Sequence, residues 1–306
     1  MGMLLNFVLG MAAIYLFVSL FVTAIQELLA QLLALRARYL RVGIIKLLEQ
    51  GKSDLGVLGA RSAVAPLAEA FYKDPLIQAL GSSRLGRTSE PSYVSKETFT
   101  SVALQITKLM GSETTPEQIL AVAKELKAKS DKTPLEQAIA VFAEEAGGNL
   151  RKLQTRLGEW FDESMERVGG AYKRWTQIAT IIIGIGFAGA LNVDSIAIAR
   201  SLLASPQQAA VLADLAGKLP RGFTADAELR NELLKGIEQS NVPFGWDQAG
   251  RSSDLSKTGW VLAVIGWILT GLAASLGSSF WFDMLKRFVS IRSSGANPSE
   301  KTSPKT

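Results

Sequence analysis

The first twenty-six residues, Met1 to Gln26, carry no charged side chain. At 1.5 Å of rise per residue, a helix of that length exceeds the roughly 30 Å hydrocarbon layer of a bilayer. The stretch predicts a transmembrane helix, and the rest of the chain can then be sorted by the side of the membrane it occupies. A cleaved signal peptide needs a basic start, a short apolar centre and a small-residue cleavage site. Here no Lys or Arg precedes the apolar run, and the run is too long. Leu28, Leu29, Leu32, Leu33, Leu40, Ile44, Ile45, Leu47 and Leu48 follow it at spacings of three and four. Residues 27–50 are therefore expected to continue the span as one unbroken helical stalk that ends near Gly51.

Two further uncharged stretches have the length of a crossing. Trp175 to Val193 is nineteen residues and Thr258 to Phe282 is twenty-five. Basic residues at span ends set orientation, because they are retained on the cytoplasmic side. Arg36, Arg38, Arg41, Arg167, Lys173, Arg174, Lys286, Arg287 and Arg292 flank one side; Arg200, Arg251 and Lys257 flank the other. The N-terminus is expected outside and the C-terminus in the cytoplasm. Trp175, Trp260 and Trp281, with Arg174, Lys286 and Arg287, are the expected interface anchors, since indole rings and basic heads favour the headgroup level.

The fold class read from this pattern is an all-α membrane protein. Span 1–26 and stalk 27–50 lead to a cytoplasmic helical domain, 51–148. Residues 149–174 form a helix leading into span 175–193, followed by an extracytoplasmic helical segment, 194–257. Span 258–282 and a basic tail, 283–306, complete the chain, the tail's Ser/Pro/Lys-rich end being expected to be disordered. Within 51–148, Ser95 precedes a helix running to Met110 and closed by Gly111. Thr115-Pro116-Glu117-Gln118 and Thr133-Pro134-Leu135-Glu136 each match a capping box with proline at the first helical position. Asn149 caps the next helix, and Ser205 with Gln208 is a further box. Gly51 to Gly59 reads as loop, Pro66 to Leu80 as a helix broken at Pro75, and Gly81 to Tyr93 as irregular. The stalk and the 149–174 helix leave and re-enter the membrane on one face, so they are expected to pair antiparallel as a two-helix neck.

Composition removes several chemistries. Cysteine and histidine are both absent, which excludes disulfides, a thiol nucleophile, a Cys or His zinc site and an imidazole base. The chain is 48% hydrophobic and 20% charged, with a net charge of +5. Gly81-Ser82-Ser83-Arg84-Leu85-Gly86-Arg87-Thr88 looks like a phosphate-binding loop but lacks the flanking strand and helix that aim its amides. Gly184-Ile185-Gly186-Phe187-Ala188-Gly189 matches the dinucleotide fingerprint, yet it lies inside a span, where glycines serve close helix packing. Gly184, Gly186 and Gly189, with Gly271, Ser275 and Gly277 in the third span, are therefore read as helix-packing residues. Carboxylates such as Glu144, Glu145, Asp162, Glu163 and Asp283 have no nucleophile or metal partner at defined spacing.

Several segments together resemble a group of bacterial multi-span inner-membrane proteins with no established activity. They are Leu35-Arg36-Ala37-Arg38, Asp74-Pro75-Leu76-Ile77, Pro91-Ser92-Tyr93-Val94, Trp160 to Arg174, Ala190-Leu191-Asn192-Val193-Asp194 and Phe280-Trp281-Phe282-Asp283. The resemblance departs at Asp74 and at Ser278-Ser279. It implies a bacterial inner-membrane location and a shared architecture, and assigns no functional residue. The function expected is a non-catalytic scaffold or anchor that self-associates in the lipid bilayer and presents a docking surface to a cytoplasmic protein, with no cofactor, no metal and no nucleic-acid partner. The competing expectations are a subunit of an oligomeric channel or transporter and a carboxylate-based membrane enzyme.

Overall fold

The computed structural model describes residues 2–49, 66–81, 83–84, 87–88, 90–109, 115–218, 227–246 and 257–294. The expected loop at 51–59 and the Ser/Pro/Lys-rich end lie outside them. Apart from one small ribbon, the described residues are helical or in short connections. The chain forms two compact units, residues 30–175 and residues 1–29 with 176–306.

The first of these units contains α2 (Leu35–Leu48), α3 (Pro66–Lys73), α4 (Pro75–Ala79), α5 (Lys96–Ile106), α6 (Pro116–Ala128), α7 (Pro134–Glu145) and the first part of α8 (Leu150–Ala190). Its helix starts follow the local rules. Thr115 with Gln118 and Thr133 with Glu136 form complete reciprocal capping boxes, and Asn149 accepts from the amide of Lys152 at 3.1 Å. Asp74 caps α4 ahead of Pro75, so the break at that proline is as read. The close of α7 is a Schellman turn: Gly147 and Gly148 have φ of 59° and 78°, and their amides return to Glu144 and Ala143. α5 ends earlier than the sequence suggested. Lys108 adopts φ 58° and makes the same turn three residues before Gly111, which lies outside the described residues.

Two other expectations are corrected here. Ser83–Arg84 and Arg87–Thr88 pair as a short antiparallel ribbon in the stretch read as irregular. The stalk is not continuous with the first helix either, because the chain turns at Leu33 and Ala34, where Ala34 holds φ 47°. The antiparallel pairing of α2 with α8 is present: Gly43 lies against Val168 and Met165, while Tyr39 meets Tyr172 and Trp175. The two helices are not a bare neck, however. Ile44, Leu47 and Leu48 of α2 and Leu153, Leu157 and Phe161 of α8 belong to the unit's own core, where Phe99 stacks on Phe161 at 4.2 Å.

Glu136 gives this unit a defined pH response. Burial alone would raise its carboxyl, but the Lys129 ammonium 2.7 Å away and the Thr133 amide and hydroxyl hold it below the ordinary 4.5. A carboxylate with a depressed folded-state value stabilises the fold above its unfolded value, and that stability is lost as pH falls through the folded value. Glu136→Gln keeps the capping geometry and removes the charge. It is expected to lower unfolding stability by about 1 kcal/mol at neutral pH. The difference from the parent should vanish at strongly acidic pH, as read by denaturant titration.

The second unit contains α1 (Gly2–Leu32) up to Leu29, the last part of α8, α9 (Ser195–Ala204), α10 (Pro206–Lys218), α11 (Ala227–Ser240), α12 (Lys257–Ser275) and α13 (Ser278–Ser294). Its core is α1 itself: Leu9, Ile14, Leu16, Phe17, Val18, Leu20 and Val22 are buried. Residues 194–257 are expected to form an extracytoplasmic helical segment, whose fold the sequence leaves open. Its described helices pack on α1, with Leu202 of α9 and Leu212 of α10 against Gly10, and Phe244 lies against Phe17. The box expected at Ser205 is not made by Gln208, whose side chain accepts from the Ser201 hydroxyl at 2.7 Å and donates to the Asn241 carbonyl. The expected rod 258–282 is bent within its length, whereas the expected span 175–193 is unbroken helix to Ala190 and the bend falls at its end. α8 ends at Ala190 and turns 58° into α9, and α12 turns 88° into α13 at Leu276 and Gly277. Among the described residues one helix, α1, is long and apolar enough to cross a membrane, or up to three if each bent pair counts as one span.

Candidate functional site

Two places gather polar side chains in a defined geometry, one in each unit. The first is the elbow between α8 and α9. Val193 and Asn192 return their amides to Ala188 and Gly189, and Asn192 takes φ 49°, which an asparagine tolerates better than a branched residue. This turn delivers three polar side chains, Asn192, Asp194 and Ser195, into the interior, each less than 5% exposed.

Each of them has a partner. Asn192 donates to the Gly245 carbonyl at 3.0 Å and accepts from the indole of Trp267 at 3.2 Å. Asp194 caps α9 by accepting from the amides of Ile196 and Ala197 at 2.8 and 3.2 Å, where a helix's positive end favours an anion. Ser195 accepts from the Tyr15 hydroxyl at 3.0 Å and lies 2.7 Å from Thr270 Oγ1. Thr270 reaches the carbonyls of Val193 and Gly266, at 2.7 and 2.9 Å. Thr270 has one proton and two carbonyls to receive it, so Ser195 is the donor to Thr270. The chain of donors runs Tyr15, Ser195, Thr270, backbone carbonyl. It ends on an acceptor that cannot take a proton, so the array ties α1, α9 and α12 together and contains no base to activate a hydroxyl.

The expected helix-packing residues divide between contact and open surface. A Cβ on Gly184 would lie 2.9 Å from the Gly271 carbonyl oxygen, and one on Gly271 would lie 2.6 Å from the Ile185 amide nitrogen. α8 and α12 thus touch backbone to backbone at this pair. Gly189 faces the Trp267 ring, whereas Gly186 has open space around it. Ser275 bonds back to the Leu272 carbonyl, and Gly277 takes φ 89° in the turn between α12 and α13, so its role is conformational. Of the expected anchors, Trp175, Trp260, Arg174 and Arg287 are exposed. Trp281 is half-buried, its ring 4.7 Å from Tyr15 and its indole donating to the Ala273 carbonyl. Lys286 sits 4.1 Å above the Phe282 ring.

The second place is a cleft of about 380 Å³ in the other unit, bounded by α2, α8 and the chain around Tyr93. Its polar lining is Arg36, Tyr39, Tyr93, Asp162, Glu166 and Tyr172, over an apolar floor that includes Leu40, Phe161 and Met165. Asp162 pairs with Lys96 at 3.3 Å, which raises the Lys96 ammonium. Neither Arg36 nor Glu166 forms an ion pair among the described residues. Nearby, Arg41 pairs with Glu90 and lies 5.2 Å from the ring centre of Tyr72. Burial, reinforced by the Glu90 charge, pushes the Tyr72 phenol far up, and its hydroxyl has no hydrogen-bond partner among the described residues.

No group of three or more Asp, Glu, His or Cys residues fit to hold a metal occurs among the described residues. Among the described residues the fold is helical apart from one two-stranded ribbon, with at least one helix long and apolar enough to cross a membrane. Compared with protein-family models, with curated proteins and with solved structures, the chain finds no match.

Proposed function

We propose that the chain is a non-catalytic integral membrane protein of the bacterial inner membrane, anchoring or scaffolding a membrane-associated assembly. In this reading α1, the α8–α9 elbow and the α12–α13 bend are three membrane segments, with residues 30–175 on the cytoplasmic side as the docking unit and self-association in the bilayer.

One observation carries the membrane assignment. α12 is inside out: its inner face is Ala263, Gly266, Thr270, Gly271 and Ala274, small or polar, while Trp260, Val261, Val264, Ile265, Ile268, Leu269 and Leu272 are exposed. Water would drive those large side chains inward, and so broad an apolar face is unusual on a soluble monomer. A lipid solvent reverses the preference, because small residues admit close helix contact and large ones are satisfied by acyl chains. The basic residues Arg36, Arg38, Lys173 and Arg174 on the 30–175 unit support its cytoplasmic placement.

The absence of native cysteine allows a direct test. Ser130 and Gln239 are both exposed, whereas the adjacent Ser240 is buried and unsuited to labelling. In sealed inner-membrane vesicles, Ser130→Cys and Gln239→Cys are expected to react with an impermeant maleimide from opposite faces. Labelling of both from one face, or release of the protein by alkaline washing, overturns the proposal.

A further inference from the structure

We infer that the cleft between α2 and α8 binds a phosphate–ammonium zwitterion, borne on a lipid, as an aminophospholipid headgroup. The inference rests on the membrane reading for the lipid's position and on the cleft's own chemistry for its identity.

The order of groups along the cleft is the argument. Tyr39 lies against Tyr172 with ring centres 5.5 Å apart, and Gly43 lies against Met165 and Val168, so the helices run antiparallel in a fixed register. Arg36 therefore stands about one turn beyond the tyrosine pair. Glu166 stands on the other side of it, six residues before Tyr172 and about 9 Å away along α8. At the Arg36 end stands Trp175, 42% exposed and with its ring 6.4 Å from that of Tyr39, and the exposed Leu32 and Leu33 immediately precede α2 in the chain. Read from that end, the surface offers apolar contact, then a guanidinium, then aromatic rings, then carboxylates.

A phospholipid with an amine headgroup presents the complementary series: acyl chains, phosphate, ammonium. A guanidinium matches phosphate oxygens with paired donors, and ring faces attract an ammonium. The charges needed are available, since Arg36 and Glu166 have no ion-pair partner among the described residues. Tyr39 adds a dependable donor, because burial and the neighbouring Tyr172 push its phenol up and keep it protonated. The volume, about 380 Å³, suits a headgroup.

The test uses the full chain in mild detergent, with short-chain phosphatidylethanolamine and phosphatidylglycerol of identical acyl length as probes, and dissociation constants as the readout. The ethanolamine lipid is expected to bind about tenfold more tightly. Glu166→Gln, at an exposed position, should erase that preference, and an unchanged midpoint of unfolding by sodium dodecyl sulfate reports that the variant is folded. Arg36→Gln should weaken both lipids. Equal affinity for the two headgroups, or a preference that survives Glu166→Gln, overturns the proposal. Soluble glycerophosphoethanolamine that competes as strongly as the lipid overturns the lipid-borne form and identifies a free phosphate–amine as the ligand. Alkaline extraction of vesicles separates the two ideas: a chain released by it that still discriminates headgroups refutes the membrane reading alone. A chain retained in vesicles but indifferent to headgroup refutes the cleft alone.

Discussion

Gly271→Ala is expected to destabilise the second unit by about 2–3 kcal/mol, although the general rule for a helix interior predicts a gain of about 1 kcal/mol. The reversal follows from where the new methyl group must go. It would lie 2.6 Å from the Ile185 backbone nitrogen and 2.5 Å from Ile185 Cγ1, and the backbone atom cannot rotate away. α12 must retreat from α8, and every contact along that seam loosens. Gly184→Ala meets the same seam from the other side, 2.9 Å from the Gly271 carbonyl oxygen. The double variant should cost less than the sum, since one separation relieves both clashes. Gly186→Ala is the internal control: nothing lies within 4 Å of its added carbon, so it is expected to be neutral or to gain up to about 1 kcal/mol. The measurement is the midpoint of unfolding by sodium dodecyl sulfate in mixed micelles. A Gly271→Ala protein as stable as the parent would show that the helices do not meet there.

This pair also illustrates what could be read from the chain. Glycines inside an apolar run announce close approach, so Gly184 and Gly271 were legible as packing residues. Which glycine met which was not, because composition carries no register. The capping boxes at Thr115 and Thr133 were legible for a simpler reason: a reciprocal side-chain to backbone arrangement is complete within four residues. The box expected at Ser205 fails because Gln208 found partners elsewhere, one of them thirty-three residues away. Local rules hold where no distant group competes.

Bends were the larger loss. An uncharged run reports the solvent around it and says nothing of straightness, so the turn at Leu276 and Gly277 lay hidden inside twenty-five residues that read as one rod. The same limit concealed the elbow. From sequence Asp194 reads only as the polar end of a span. Its observed role, capping α9 in the interior, needs Gly266 seventy-two residues later to leave room for it. The cleft was similarly out of reach: Arg36, Tyr39, Glu166 and Tyr172 are ordinary surface residues until α2 and α8 pair. An aromatic and charged stripe at helical spacing on both partners was the only available signal.

Among the described glycines, Gly266 should be the one where an added methyl group costs most. A Cβ there falls 1.7 Å from Asp194 Oδ1 and 2.5 Å from its Cγ, so the carboxylate and the new carbon cannot coexist. Two responses are available. If the carboxylate leaves, the amides of Ile196 and Ala197 lose their acceptor in a site where Asp194 is 1% exposed, at roughly 1–3 kcal/mol for each unsatisfied group. If α12 moves instead, Thr270 is drawn away from the Val193 carbonyl and from Ser195, and the link from Tyr15 through Ser195 to α12 opens. Either way Gly266→Ala is expected to lose about 4 kcal/mol or more. Asp194→Ser supplies the discriminating partner. Serine is a shorter cap that still accepts from the first-turn amides, so Gly266→Ala with Asp194→Ser should be more stable than Gly266→Ala alone. That favourable coupling in a double-mutant cycle is the signature of a direct clash. Strictly additive losses would mean that Gly266 and Asp194 act on stability separately, and that the carboxylate is held by something other than the room this glycine leaves.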